Sequence, residues 1–281
     1  MKTARTIQEA RELCRAHRAR QARIGLVPTM GALHEGHLAL VRAARAKADV
    51  VVVSIFVNPT QFGPNEDFAK YPRSFERDCE LLEREGVDIV FAPSVDEMYS
   101  SENATWVKVQ GLSERLCGKS RPGHFHGVAT VVSKLFHIIE PDFAFFGQKD
   151  AAQVAIIRRM VRDLNLPVTI EVCPIVREAD GLALSSRNAY LSPAERNSAL
   201  VLYRSLQRAK TMFDAGERSS EKLISAAKKE FADEPSVRLD YFEIVDPNTL
   251  ETQSVITQRT LAAVAAFVGT TRLIDNILLG P

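Results

Sequence analysis

Short apolar runs alternate with helical patterns along the chain up to about residue 178. The runs are continuous and rich in Val, Ile and Phe, as in strands buried on both faces of a sheet; they cover residues 23–28, 49–57, 87–93, 142–147 and 168–176. Helical periodicity with charged outer faces is found between them, in residues 37–48, 74–86, 127–140 and 150–164. This alternation predicts an α/β fold, a parallel sheet with helices on both faces.

Two capping boxes mark further helix starts. Thr6 and Glu9 have the T-x-x-E spacing, and Glu9 and Glu12 interrupt a basic face that would otherwise suggest a transit peptide. Ser192 and Glu195 have the capping-box spacing too, with a proline at the first helical position. Helices are therefore predicted near the N-terminus and from about residue 193.

The pattern differs after residue 178. A second helix is predicted over residues 219–232, and β-rich runs separated by short turns cover 237–246, 260–269 and 271–279. Short turns join antiparallel strands. We therefore expect two domains, a parallel-sheet domain over residues 1–178 and a small α+β lid domain with antiparallel strands over residues 179–281.

Composition narrows the class of protein. The chain has 281 residues, 25% of them charged, and a net charge of +1, so no overall field favours nucleic acid or an acidic membrane. No apolar run approaches the ~20 residues that cross a bilayer. The four cysteines contain no C-x-x-C pair, which argues against zinc and disulfide frameworks and for a cytoplasmic protein with reduced thiols.

The stretch "PTMGALHEGHL" (28–38) follows the first predicted strand, where ligands of such sheets bind. His34 and His37 are three residues apart at a predicted helix start, which offers free N–H groups to an anion. Gly31 and Gly36 allow the backbone to approach a ligand closely. Structural histidines are the alternative, and a metal site is disfavoured because H-E-x-x-H spacing is absent. The strand–turn–helix context favours phosphate.

Other strand ends carry polar residues as well. The long segment 58–74 suggests a lid, although a solvated loop is equally compatible, and its Gln61 offers both a donor and an acceptor to a hydroxy-acid. In "FGQKDAAQ" (146–153), Lys149 suits phosphate and Asp150 suits ribose hydroxyls. A positive rim or a polar surface loop is formed by Lys119, Arg121, His124 and His126.

Residues 182–188, "LALSSRN", place Ser185, Ser186 and Arg187 together at the predicted domain boundary. Hydroxyls beside a guanidinium suit a triphosphate, and a plain polar linker is the alternative. The chain contains neither G-x-x-x-x-G-K-[ST] nor G-x-G-x-x-G, so kinases and dinucleotide enzymes are disfavoured.

Taken together, these motifs resemble those of a known enzyme superfamily. "PTMGALHEGH" resembles the "HIGH" signature of the aminoacyl-tRNA-synthetase-like nucleotidyltransferases, and "LSSRN" stands where that superfamily has its "KMSKS" loop. With "NPTQF", "RPGHF" and "FGQKD", the chain resembles the pantothenate synthetase (pantoate–β-alanine ligase) family over essentially its whole length. The resemblance implies a Rossmann-like catalytic domain, the substrates ATP, pantoate and β-alanine, Mg²⁺ accompanying ATP, and a homodimer.

The resemblance also implies roles for individual residues. Catalysis would depend on His34, His37, Lys149 and Arg187, with His37 as proton donor. Pantoate would be bound by Gln61 and Gln153, with β-alanine next to Gln61. ATP would be bound by Met30, Gly31, Ala32, Leu33, His34, Glu35, Gly36, His37, Gly147, Gln148, Lys149, Asp150, Val176, Leu184, Ser185, Ser186 and Arg187. Whether a carboxylate in residues 76–78 places magnesium stays open, because Arg77 lies within that segment.

The implied reaction has two steps. Pantoate attacks the α-phosphate of ATP, pyrophosphate leaves, and the amine of β-alanine then displaces AMP from the pantoyl adenylate. One alternative is a nucleotidyltransferase of the same superfamily, which would need a site for a phosphorylated acceptor. Another is a nucleotide-binding protein without catalytic activity.

Overall fold

The computed structural model describes residues 1–64 and 66–280, and within them nine strands form two sheets. The strands are β1 (Lys2–Ala4), β2 (Ile24–Thr29), β3 (Val50–Ile55), β4 (Ile89–Phe91), β5 (Phe143–Gly147), β6 (Thr169–Cys173), β7 (Val237–Val245), β8 (Thr260–Val268) and β9 (Thr271–Leu279). The α-helices are α1 (Ile7–Arg18), α2 (Glu35–Lys47), α3 (Phe75–Arg84), α4 (Val95–Met98), α5 (Cys117–Ser120), α6 (His124–Ile139), α7 (Ala151–Asp163), α8 (Pro193–Asp214) and α9 (Ser220–Lys229).

The first sheet has the order β1-β4-β3-β2-β5-β6, and all of its neighbouring strands are parallel. Side chains alternate between its faces. Leu26 and Val52 pack with α1, α6 and α7, whereas Val27 and Val53 pack with α2 and α3. Burial on both faces explains why these strands read as continuous apolar runs. The predicted α/β fold with helices on both faces is confirmed.

The local predictions hold with small differences. Both capping boxes are present, at Thr6 with Glu9 and at Ser192 with Glu195. The three-residue edge strand β1, which pairs with β4, was not predicted because it is too short to show a pattern. The prediction for the last parallel strand was too long, since β6 ends at Cys173.

The second sheet is antiparallel, in the order β7-β8-β9, as predicted. We call residues 179–280 the C-terminal unit. On one face of its sheet, Ala262 and Val264 pack in a core with α8 and α9. On the other face, Leu261 and Ala263 belong to the same core as α6 and α7 of the parallel-sheet part. The central strand of this sheet, β8, is therefore buried on both faces.

The strand order places a ligand crevice. The chain runs outward from β2 through β3 to β4, then returns to the other side of β2 to form β5 and β6. The crevice of such a sheet lies beyond the carboxyl ends of the strands where this direction reverses, here β2 and β5. The turn after β2 ends at His34 and His37 follows in the first turn of α2, while the turn after β5, Gln148–Asp150, carries Lys149. The fold thus brings two predicted phosphate sites to neighbouring strand ends.

Candidate active site

The turn between β2 and α2 (residues 30–34) is held by a buried carboxylate. Gly31 has a φ of 79° and Ala32 a φ of 50°, two consecutive left-handed residues. The carboxylate of Asp78, on α3 and 0% exposed, accepts the N–H groups of Ala32 at 2.8 Å and Leu33 at 2.9 Å. A Cβ on Gly31 would lie 3.0 Å from Asp78 Oδ2 and 3.1 Å from Ile55, so glycine fits both the conformation and the space. Sequence reasoning did not single out this role of Asp78.

His34 and His37 cap helix α2 with their imidazoles. Nδ1 of His34 accepts the N–H of Gly36 at 3.1 Å, and Nδ1 of His37 accepts the N–H of His34 at 3.3 Å. The expectation that this helix start offers free N–H groups was therefore wrong for these two groups. Because each Nδ1 is an acceptor, each ring is neutral and carries its proton on Nε2. The rings lie 4.1 Å apart between centroids, so two Nε2–H donors stand side by side.

The surroundings keep both rings neutral. Burial, and then the positive charge of Lys149, lowers the pKa of His34 from 6.5 to about 4. Burial, followed by His34 and Lys149, lowers the pKa of His37 to about 3. In the ligand-free protein His37 therefore has a proton to share in a hydrogen bond from Nε2, and it is not an imidazolium at neutral pH.

Gln61 lies in a short 3₁₀ turn after β3, in a buried polar network. The Nδ2 group of Asn58, which is 1% exposed, donates to Gln61 Oε1 at 3.1 Å, and Asn58 Oδ1 accepts the hydroxyl of Tyr99 at 3.0 Å. With its oxygen held, Gln61 directs Nε2 towards Met30 Sδ at 3.1 Å. A thioether is a weak acceptor, so this amide is available to an oxygen of a ligand. Asn58 is the first residue of the motif "NPTQF", but the sequence did not reveal that its side chain holds Gln61.

Helix α6 packs directly on this turn, and one glycine makes that possible. A Cβ on Gly127 would lie 2.3 Å from Thr60 O and 2.6 Å from Gln61 N, both backbone atoms. Asn58 Nδ2 also donates to Gly127 O at 3.2 Å. The absence of a side chain at Gly127 therefore sets the distance between α6 and Gln61.

The turn after β5 brings positive charge to the histidines. Lys149 Nζ lies 3.9 Å from Asp150 Oδ1, and its charge acts on both imidazoles. Asp150 is the first residue before α7 but does not cap it with its side chain. Gln153 follows in the first turn of α7 and, like Lys149, lines the crevice.

The loop with Ser185, Ser186 and Arg187 contacts both the β2–α2 turn and the segment 58–74. Ser186 Oγ donates to Ala32 O at 3.1 Å. Arg187 donates from Nε and Nη2 to the carboxylate of Asp67, both at 2.9 Å. The guanidinium predicted to bind phosphate is thus paired with a carboxylate of the segment 58–74. Upstream, the N–H of Leu184 donates to Val176 O at 3.0 Å.

The cluster before α6 is split by the structure. Arg121 donates to Glu66 Oε1 at 2.7 Å and from Nη1 to His124 Nε2 at 3.0 Å. Since arginine only donates, His124 carries its proton on Nδ1 and donates to Gln61 O, 2.8 Å away. Burial, and then Arg121, lowers the pKa of His124 to about 4. Lys119 is exposed and His126 lies against Trp106, so neither contributes to the site.

A cavity of about 1110 Å³ lies between the parallel-sheet part and the C-terminal unit. The predicted site residues that line it are Lys149, Asp150, Gln153, Ser185 and Arg187. Gln61 is joined to this lining through His124, and Ala32 through Ser186. The other predicted site residues, among them the histidine pair His34 and His37, are not part of this lining. Two of the predicted ATP contacts have their side chains engaged elsewhere, because Leu33 is 1% exposed and Glu35 pairs with Arg42.

Comparisons with known proteins agree with one another. The family described as pantoate–β-alanine ligase matches residues 2–278. The pantothenate synthetase of Koribacter versatilis is 61% identical over 279 residues, which are 99% of this chain and 96% of that protein. The crystal structure of the pantothenate synthetase from Thermus thermophilus superposes with a TM-score of 0.95 at 47% identity, covering 100% of both chains. The pantoate–β-alanine ligase of Francisella tularensis, solved as a complex with β-γ ATP and β-alanine, has a TM-score of 0.82 at 35% identity, covering 99% of this chain and 97% of that one.

The low pKa of His37 predicts a loss of stability in acid. Its folded value of about 3 lies below the ordinary 6.5, so the unfolded chain binds the proton first as the pH falls. Stability from this group is complete above pH 6.5 and declines towards pH 3. Between pH 7 and pH 5 the free energy of unfolding should fall by about 1–2 kcal/mol more in the wild type than in His37→Asn, measured by urea denaturation. Equal losses in both proteins would contradict the prediction.

Gly127→Ala should damage the Gln61 turn. Alanine favours a helix by about 1 kcal/mol over glycine, but overpacking against fixed backbone costs about 1–3 kcal/mol. We expect a lower melting temperature and a higher KM for pantoate. Gly63→Ala is the control, since its new methyl group would lie at ordinary distance, 3.6 Å from Glu66 Cγ. A Gly127→Ala protein with unchanged melting temperature and KM would show that α6 does not fix this turn.

Proposed function

The chain belongs to the pantoate–β-alanine ligase family, and we propose that it works through an enzyme-bound pantoyl adenylate. Its activity is the ATP-dependent condensation of pantoate with β-alanine to pantothenate. A carboxylate does not react with an amine at a useful rate until one of its oxygens becomes part of a leaving group. The pantoate carboxylate attacks the α-phosphorus and releases pyrophosphate. The amine of β-alanine then attacks the acyl carbon and releases AMP.

The observation that carries this proposal is the group of donors at the carboxyl ends of β2 and β5. His34 and His37 present Nε2–H groups with their Nδ1 atoms already occupied, and Lys149 lies close enough to lower both pKa values. Hydrogen-bond donors and a fixed ammonium match the charge that develops as the α- and β-phosphates separate. We assign these three side chains to the phosphates, with the Nε2–H of His37 as the proton shared with the reacting oxygens.

The acid and amine substrates belong next to Gln61. Its Nε2 faces only the weak acceptor Met30 Sδ, at 3.1 Å, and a carboxylate or hydroxyl oxygen of pantoate would be a better partner. Gln153, in the first turn of α7, would bind the same pantoate molecule from the side opposite Gln61. β-Alanine would then approach the activated carboxyl beside Gln61.

The remaining predicted contacts enclose the nucleotide. We propose that residues 30–37 and 147–150 surround ATP, with Asp150 on the ribose and the backbone of Val176 at the adenine. Residues 184–187 would close over the triphosphate, and Arg187 would exchange Asp67 for phosphate oxygens. Exchange of one anion for another leaves the guanidinium paired throughout. Closure would keep water from the acyl adenylate.

Magnesium fits this site as an ion carried by ATP. Among the residues that the structure describes, no three His, Cys, Asp or Glu side chains converge to hold one. Asp78, one of the carboxylates in residues 76–78 considered for magnesium, is fully buried and already accepts two backbone N–H groups. Mg²⁺ commonly keeps water and substrate phosphates as ligands, and it would neutralise charge on the triphosphate here.

Three broader expectations complete the proposal. We propose a boundary at residues 178–179, from the change of sequence pattern there, and a homodimer, from the resemblance to the family. We also propose a cytoplasmic location, which the free thiols Cys14, Cys79, Cys117 and Cys173 favour. In the described part of the chain, the helices are too short or too polar to cross a membrane. Light scattering after gel filtration tests the dimer.

Pyrophosphate exchange tests the two-step reaction. With MgATP, labelled pyrophosphate and pantoate but no β-alanine, we expect label to enter ATP, because a reversible adenylate step needs no amine. Omission of pantoate should abolish the exchange. Protein that binds ATP but shows no pantoate-dependent exchange would contradict the adenylate and favour a nucleotidyltransferase or a protein that only binds ATP.

Two substitutions of His34 separate its two nitrogen atoms. His34→Asn keeps an acceptor near Nδ1 and a good N-cap but removes the Nε2 donor. His34→Gln keeps an amide N–H near Nε2 but loses the cap. We expect His34→Asn to be the more stable variant with exchange reduced by about 10²–10³-fold, and His34→Gln to be less stable but more active. The opposite order in melting temperature and exchange rate would exclude the Nε2 group from phosphate binding.

A further inference from the structure

We propose that Asn276, in the C-terminal unit, is a positioning residue for Lys149; this rests on the role of Lys149 proposed above. The Nδ2 group of Asn276 donates to Gln148 O at 3.0 Å and to Lys149 O at 2.9 Å. Its Oδ1 accepts from Gln148 Nε2 at 3.1 Å. All three hydrogen bonds of this side chain therefore go to the turn after β5, more than 120 residues away in sequence.

The orientation of the amide is determined by its partners. Both carbonyl oxygens can only accept, so Nδ2, the donor end, must face them. Oδ1 is then placed opposite the amide N–H of Gln148, which completes the match. Asn276 is 2% exposed, and a buried amide with both donor hydrogens and its oxygen engaged resists rotation. The backbone on which Lys149 stands is thus held at two consecutive carbonyls.

The support behind Asn276 is rigid as well. Asn276 is paired with Ala263 in the antiparallel sheet, and its own N–H donates to Asp275 Oδ1 at 2.7 Å. Asp275 is 4% exposed and accepts two hydrogen bonds from Arg177, at 2.6 and 2.8 Å. A paired carboxylate and the strand pairing leave the Asn276 side chain little freedom.

Positioning of Lys149 bears on the phosphate contacts because its side chain is long. A lysine binds phosphate as a point charge on a flexible stem, so the direction in which its backbone starts decides where the ammonium is found. A misplacement of about 1 Å at a reacting group costs up to about 100-fold in rate. Without Asn276 the turn would lose two carbonyl contacts, and the ammonium would spread over more positions.

Two variants test this in the full-length enzyme. Asn276→Ala removes all three hydrogen bonds, and Asn276→Asp keeps the size but places an oxygen against two carbonyl oxygens. For both we expect kcat/KM for ATP to fall by about 10–100-fold while KM for pantoate changes by less than about twofold. Asn248→Ala, an exposed asparagine in the turn after β7, is the control and should match the wild type. Melting temperatures show whether each protein is folded. If Asn276→Ala is not folded, Asn276→Asp alone provides the test.

A double-mutant cycle with Lys149→Ala separates positioning from general support. If Asn276 acts through Lys149, its loss in the Lys149→Ala background should change kcat/KM for ATP by less than about threefold. Three results would overturn the proposal. They are losses in kcat/KM for ATP that multiply in the double variant, wild-type kinetics of folded Asn276→Asp, and equal increases in KM for ATP and KM for pantoate. Wild-type activity of Lys149→Ala itself would instead overturn the assigned role of Lys149, and the positioning role with it.

Discussion

The arrangement of the site depends on one buried contact, between the carboxylate of Asp78 and the turn after β2. Two successive left-handed residues are unfavourable when the second is alanine, and Ala32 is that residue. Two hydrogen bonds from backbone N–H groups to a carboxylate, at 2.8 and 2.9 Å, offset this cost. Helix α2 begins directly after the turn, so the directions of both imidazoles follow from it. A carboxylate that looks from sequence like an ordinary helix residue thus supports the geometry of the candidate site.

Beyond this turn, the hydrogen bonds of the site depend on which ring nitrogen of each histidine carries the proton. His34 and His37 use Nδ1 to accept backbone N–H groups, whereas His124 uses Nδ1–H to donate to a carbonyl. Low pKa values keep all three rings neutral near pH 7. Under the proposed function, the positive charge for phosphates would then come from Lys149 and from arginines that are paired with Glu66 and Asp67 in the ligand-free protein. Neutral Nε2–H donors beside a cation can bind a polyanion without either ring taking up a second proton at neutral pH.

Much of this could be predicted from the sequence, because the strands are short, continuous and apolar, and because polar segments follow them. The positions of the histidine pair, Lys149 and Arg187 relative to the sheet come from that pattern. What could not be predicted are contacts between distant residues. Asp78 and Asn276 act on turns 45 and 127 residues away, and nothing in their local sequence distinguishes them. Histidine is also outside the usual set of capping residues, so its use of Nδ1 left no pattern to find.

The C-terminal sheet was expected to act as a lid, and its contacts argue that closure involves other elements. Leu261 and Ala263 share a core with the parallel-sheet part, and Asn276 is bonded to the turn after β5. Separation of these surfaces would expose apolar area and leave buried polar groups without partners, at several kcal/mol. The pairs of Arg121 with Glu66 and Arg187 with Asp67 are partly exposed, and incoming phosphate or carboxylate can replace either acid. We therefore expect closure over the substrates to involve the segment 58–74 and residues 185–190, with the C-terminal sheet as the wall against which they close.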